Sequence, residues 1–376
     1  MVLFVRSMLT RASAALDRGV VRWMERRMSP SAPRIDANDD ARGRLIEIAA
    51  GYTAAGERFF TAPELPDVAL SPLGDGPLGT QVVDLAFASH YQPCLPAARE
   101  AYLAVRENFT AHARWWTSER SRPTIVMLHG WGGGNHWVTE RTFAVPYWLR
   151  HGYDVISFQL PFHGARAPKV KGVVQSGALF PSPNPLRTNE AFGHAIYDLR
   201  ALAMFLRARG ASAVGAIGMS LGGYTTALWA TIGPGPASLA MTAGAGKLDF
   251  AVAMIPAVSM ARLMWRHGET SPVRKRAMKA GIDEHLLADA FAIHSPTKRD
   301  VALPRERLFV VAGRGDRITP SDHAEELARH WNVEIKWFEG GHLAQVGRGE
   351  ALRDVRRELS ALDLPGRVFR QRVGSQ

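Results

Sequence analysis

The sequence predicts an α/β fold built on a mostly parallel sheet with helices on both faces. Two observations carry that prediction. From about residue 79, short apolar runs of strand length alternate with longer stretches of helical periodicity, the signature of parallel strands joined by helices. The 376 residues are 46% apolar, yet no run reaches eighteen apolar residues in succession. Such a chain buries a large core and carries no segment that reads as a membrane-spanning helix.

The first 28 residues, MVLFVRSMLTRASAALDRGVVRWMERRM, read as a basic amphipathic helix. Phe4, Met8, Ala12, Leu16, Val20, Trp23 and Met24 recur every three or four positions. Arg6 and Arg11 interrupt the apolar stretch, so it does not read as a signal peptide. Such a helix docks on its own domain, pairs with a second copy, or lies on an anionic membrane surface. The expected location is cytoplasmic, with a homodimer or peripheral membrane contact through this helix as the open partners. The helix should stop at the polar, proline-containing linker SPSAPRIDANDD. Residues 1–78 form an N-terminal extension in this reading.

The main domain is expected over 79–362, followed by a tail over 363–376. TQVVDLAF and NFTAHARWW read as two antiparallel strands at a sheet edge. TIVML is a short buried strand that runs into HGWGGGNHW, and a helical stretch follows from about Val138 to His151. DVISFQL is the next strand, then a long loop, then an amphipathic helix from Asn189 to Arg209. AVGAI leads into Ser220 and a helix through Trp229. DFAVAMI, RLFVVAG and VEIKWFE complete the strands. Between the first two of these lies a helical insertion at about 257–302 in which Met260, Met264, Trp265 and Met278 either wall an acyl site or fill an ordinary core.

The net charge of +11 invites a nucleic-acid reading. The basic residues are dispersed, however, and no zinc-finger or RRM-like motif accompanies them, so solvated faces and no nucleic-acid partner are expected. Cys94 is the single cysteine, set between prolines without a motif.

Four signals fall at strand ends, where sites form in open α/β sheets. The first is Gly218-Met219-Ser220-Leu221-Gly222. A nucleophile on a sharp strand-to-helix turn needs small residues two positions to either side, because larger side chains collide there. The helix start beyond Ser220 supplies free N–H groups suited to developing negative charge. The second is His129-Gly130-Trp131-Gly132-Gly133-Gly134, whose glycines let backbone N–H groups approach a substrate oxygen. No G-K-[ST] follows, which argues against a phosphate loop. The expected oxyanion donors are the N–H groups of Leu221 and Trp131, with Gly132 as the alternative to Trp131. The third is Asp316, directly after RLFVVAG. The stretch after DFAVAMI, PAVSMARL, contains no carboxylate and so cannot supply the acid. The fourth is His342 in FEGGHL, a better candidate than His323 or His330, which lie within a helix.

HGWGGG, GMSLGG, GRGDRITP and GGHL together resemble the α/β-hydrolase superfamily, over about residues 79–362. The GMSLGGY and PFHGAR stretches are also similar to bacterial esterases and to the prolyl-oligopeptidase-like branch. The resemblance implies a Ser-His-Asp hydrolase with an eight-stranded sheet and a mobile cap. On this reading Ser220 is the nucleophile, His342 its base and Asp316 the group that orients the base. Trp137, His163, Met264 and Trp265 are the expected substrate-pocket residues, with a hydrogen bond to the adjacent loop as the alternative role of His163. No cofactor or metal is expected, since no H-E-x-x-H occurs. The favoured reaction is hydrolysis of a small-molecule carboxylic ester or thioester. The alternatives are an amidase or peptidase of the same fold and a non-catalytic membrane-surface or interaction protein. Since no signal lies before residue 129, the N-terminal helix is expected to be dispensable for turnover.

Overall fold

In the computed structural model, residues 2–28, 40–118, 120–170, 172–233, 246–269, 271–362 and 364 are described. The runs with no polar interruption form the centre of the sheet. Strands β4 (Thr124–Leu128), β5 (Asp154–Phe158), β8 (Val214–Met219), β9 (Phe250–Met254) and β10 (Leu308–Gly313) are buried at every position. Burial on both faces is what a parallel sheet sandwiched by helices requires. The outer strands are β1 (Val68–Asp75), β2 (Gln81–Ala88) and β3 (Thr110–Thr117) at one edge, and β11 (Ile335–Phe338) at the other. A separate hairpin pairs β6 (Lys169–Val170) with β7 (Val173–Val174).

The order across the main sheet is β1-β2-β3-β5-β4-β8-β9-β10-β11. The first three strands run antiparallel, and the six from β5 to β11 in that order are parallel. The sheet thus has nine strands where eight were expected. The extra one is β1, which pairs with β2 and begins at Val68, so the boundary expected at residue 79 falls inside the sheet. Helix α2 (Ala41–Ala55) belongs to the same body. Its Tyr52 donates a 2.7 Å hydrogen bond to the buried Glu190 carboxylate.

Helix α1 spans Val2–Met28, and α3 (Pro96–Leu103) precedes β3. The helical stretch after β4 divides into α4 (His136–Thr142) and α5 (Val145–Arg150) at Ala144, whose φ of 53° breaks the helix. Helices α6 (Pro185–Ala208) and α7 (Leu221–Trp229) cover one face of the sheet, and α5 helps cover the other. The expected amphipathic helix α6 is buried nearly all round, because Tyr52 of the extension and Tyr91 after β2 pack on its outer side at Glu190. The insertion folds as α8 (Met260–His267), α9 (Pro272–Lys279) and α10 (Glu284–Ala290). Helix α11 (Ser321–Trp331) joins α6 and α7 on their face, and α12 (Arg348–Ala361) joins α5 on its own. No helix among the described residues is long and apolar enough to cross a membrane.

Candidate active site

The site begins with backbone geometry at the end of β8. Ser220 has φ 57° and ψ −114°, a left-handed conformation that costs a non-glycine residue roughly 1–3 kcal/mol. The surroundings enforce it. Ser220 N–H donates to the Met254 carbonyl at 3.0 Å, and the Ser220 carbonyl accepts from Tyr224 N–H at 2.9 Å to open α7. A Cβ on Gly218 would run into the Gly222 carbonyl, and one on Gly222 into the Leu128 carbonyl. Helix α7 therefore sits directly against the end of β4, which only glycine permits. The turn lifts Ser220 to the edge, where it keeps partial exposure while its helix is buried.

The loop after β4 reaches the same point. A Cβ placed on Gly130 would lie 3.5 Å from Ser220 Cβ and 3.9 Å from its Oγ. Side chains and backbone pin this loop. His129 Nδ1–H donates to the Gly130 carbonyl at 2.8 Å, and its Nε2 accepts from Leu160 N–H at 3.2 Å, which assigns the tautomer. Burial pushes its pKa down to about 4, so His129 is a neutral strut. Trp131 Nε1 donates to the Gly177 carbonyl at 2.7 Å, Ser176 Oγ to the Gly133 carbonyl at 2.6 Å, and Gln159 Nε2 to the Gly134 carbonyl at 2.6 Å. Trp131 thus lies in a pinned loop, and Leu221, directly after Ser220, is the first residue of α7.

Asp316 and His342 meet across the ends of β10 and β11. His342 Nδ1–H donates to Asp316 Oδ2 at 2.8 Å. Asp316 is buried and accepts three further bonds: Ile318 N–H at 2.9 Å and Thr319 N–H at 2.8 Å on Oδ1, and Thr319 Oγ1 at 2.9 Å on Oδ2. The Thr319 hydroxyl also lies 2.9 Å from the Ile255 carbonyl and 3.0 Å from His342 Nδ1. Burial pushes the His342 imidazole down, but the Asp316 carboxylate with its hydrogen bond, and then Asp17, outweigh this and leave it above the ordinary histidine value.

Short links join the two halves. Ser220 N–H binds Met254 O, and the next residue, Ile255, offers its carbonyl to Thr319. Gln345 Nε2 spans the Met219 sulfur at 3.2 Å and the His342 carbonyl at 2.8 Å. Ser220, Asp316 and His342 therefore lie at the ends of β8, β10 and β11, on one edge of the sheet.

The expected pocket residues have the following surroundings. His163 is fully buried behind the glycine loop, its Nδ1–H bound to the Pro161 carbonyl at 2.8 Å, and burial holds its pKa well below the ordinary value. It is a buried brace of that loop. Trp137 is 58% exposed on α4 beneath the Arg141 guanidinium. Met264 packs against the core and Trp265 lies under Arg274. Met260 is core, and Met278 is exposed on α9. Among the described residues, none of these enters the hydrogen-bond network of Ser220, Asp316 and His342.

One residue that sequence reading passed over does enter it. Asp17 on α1 is fully buried and accepts from Arg317 N–H at 3.1 Å, His342 N–H at 2.8 Å and Leu343 N–H at 3.2 Å. The helix seats its small, polar face, Thr10, Ser13, Ala14 and Asp17, while Met8 and Leu16 of the expected apolar stripe point outward. Phe4, Trp23 and Met24 of that stripe have side chains outside the described residues. Helix α1, expected to be dispensable for turnover, thus bonds through Asp17 to the backbone of His342. A signal was present: Asp17 is the first acidic residue in an otherwise basic segment, at helical spacing from Thr10, Ser13 and Ala14.

A profile of the alpha/beta hydrolase family matches residues 125–355, well over half the chain. Uncharacterised proteins from two strains of Mycobacterium tuberculosis are 27% identical over 316 residues, spanning 79% of this chain and 70% of theirs. In overall structure the chain is similar to acetyl xylan esterase 1 from Thermoanaerobacterium sp. JW/SL YS485, at a TM-score of 0.53 and 15% identity, covering 84% of this chain and 94% of the other. An acetyl xylan esterase from Paenibacillus sp. R4 gives 0.53 and 14%, covering 86% and 96%.

Proposed function

Since the chain belongs to the alpha/beta hydrolase family, we propose that it is a serine hydrolase that cleaves a carboxylic ester, or a thioester, through an acyl-enzyme on Ser220. The observation that carries this reading is the 2.8 Å Asp316–His342 pair at the same sheet edge as a strained, glycine-flanked serine. Asp316 holds the proton on His342 Nδ1 and so leaves Nε2 free to accept the Ser220 proton. Ser220 Oγ then attacks the acyl carbonyl carbon, and the Leu221 and Trp131 N–H groups receive the charge that forms on oxygen. His342 passes its proton to the departing alkoxide or thiolate. Water, deprotonated in turn by His342, releases the acid and restores Ser220.

A fluorophosphonate probe should label the wild-type protein and leave Ser220→Ala unlabelled and inactive but folded. His342→Ala should be nearly as damaging, and the double variant no worse than either alone, because the groups act as one unit. A panel of p-nitrophenyl esters and matching amides then assigns acyl length and leaving group. Labelling of Ser220→Ala at another serine, with activity retained, would refute the assignment.

A further inference from the structure

Helix α1 contributes more than packing. We propose that Asp17 is a positioning residue for His342, clamping the loops that carry Asp316 and His342 in register. This rests on the reading of Ser220, Asp316 and His342 given above. One carboxylate ties together three backbone N–H groups from two loops: Arg317, next to Asp316, and His342 with Leu343. Charge-assisted bonds of this kind are stronger and more directional than neutral ones.

Both loops are shaped to receive the helix. A Cβ on Gly341 would lie 2.6 Å from Asp17 Oδ2, and one on Gly315 would lie 2.8 Å from the Thr10 carbonyl. The glycines beside His342 and Asp316 thus make room for α1. Two further bonds fasten the same face, Thr10 Oγ1 to Glu339 at 3.1 Å and Ser13 Oγ to the Ala344 carbonyl at 3.4 Å.

Asp17 also acts through its charge. Among the described residues, Asp316 from the loop after β10 and Asp17 from α1 are the charged groups that raise the His342 pKa. Arg317 turns its guanidinium to the Asp316 and Arg314 carbonyls, Arg314 and Thr10 engage Glu339, and Arg348 is held by Gln345. Removing the Asp17 charge should therefore loosen the loop and lower the pKa of the base together.

The test uses the full chain and a water-soluble p-nitrophenyl ester. Asp17→Asn should lose kcat roughly ten- to hundredfold with KM within about twofold, and should move the acid limb of kcat/KM to lower pH. Asp17→Glu, which keeps the charge, should keep the wild-type limb. A folded Asp17→Asn with wild-type kcat, or with reduced kcat and an unmoved limb, would overturn the proposal. If that variant does not fold, Gly341→Ala tests the contact from the other side. Its methyl must displace the carboxylate, so a kcat loss at unchanged KM supports the clamp and unchanged kcat overturns it. Fluorophosphonate labelling of the wild type, lost in Ser220→Ala, tells failure of the clamp from failure of the hydrolase reading.

Discussion

Asp316→Asn separates the orienting role of the carboxylate from its bulk, and the outcome can be worked out from four hydrogen bonds. Oδ1 accepts from the N–H groups of Ile318 and Thr319, and Oδ2 from His342 Nδ1–H and the Thr319 hydroxyl. Asparagine has one acceptor oxygen and one NH2 group to divide between these two sides. If its oxygen faces His342, the NH2 meets two backbone N–H donors, that of Thr319 buried and that of Ile318 half-buried, and leaves both unpaired. Each unpaired donor costs about 1–3 kcal/mol, so that rotamer is disfavoured by roughly 2–6 kcal/mol. If its oxygen stays on the backbone donors, the NH2 faces His342 Nδ1, and the imidazole need only shift its proton to Nε2. The second arrangement wins. It puts a proton on the nitrogen that has to accept one from Ser220, so kcat should fall about 10⁴-fold, equivalent to roughly 5.5 kcal/mol of barrier. The loss should be somewhat smaller than for His342→Ala, which removes the base itself. Steady-state hydrolysis of a p-nitrophenyl ester, with circular dichroism to verify folding, measures it. A folded Asp316→Asn that keeps more than about a tenth of wild-type kcat would refute the orienting role.

Two further outcomes follow from the same geometry. The Asp316 and Asp17 carboxylates hold the His342 imidazole above its ordinary value against the opposing effect of burial, and only the neutral form accepts a proton. Activity should therefore be present at higher pH and lost as pH falls, with the acid limb of kcat/KM above the ordinary imidazole value of about 6.5; a limb below that value would contradict the assignment. Gly222→Ala forces a methyl into the Leu128 carbonyl, so the elbow must open. It should lower the melting temperature, at a cost of roughly 1–3 kcal/mol, and weaken fluorophosphonate labelling; unchanged melting and labelling would show that α7 has slack against β4.

What was legible in the sequence is what backbone geometry dictates locally. Gly218 and Gly222 are readable because a left-handed serine between strand and helix excludes larger neighbours, and Asp316 and His342 because they directly follow β-runs. The first strand was not readable. VALSPLGD carries a proline and a glycine, its register shifts between Pro72 and Gly74, and the strand is mostly exposed, so no apolar alternation announces it. The helix α1 is readable as a helix, but its docked side is not, since hydrophobic periodicity picks out residues such as Met8 and Leu16, which are exposed. The seated side is small and polar, and its partners are backbone amides some 300 residues away in sequence. Sequence periodicity reports burial in oil-like surroundings and is blind to a carboxylate buried among N–H groups. His163 illustrates another limit: the sequence leaves it between pocket residue and partner of the adjacent loop, and its full burial with a bond to the Pro161 carbonyl fits the second.

The clamp also bears on when, during the making of the chain, activity can arise. Asp17 leaves the ribosome well before its partners, since the amides it binds lie 300 to 326 positions later. Contacts of such long range are slow to close and are in place only once the intervening sheet exists. A nascent chain with β8 complete already has the elbow sequence, yet it lacks the loops that α1 must grip. Turnover is thus a late readout of folding, one that reports the seating of α1 on the loops after β10 and β11 as much as the presence of Ser220.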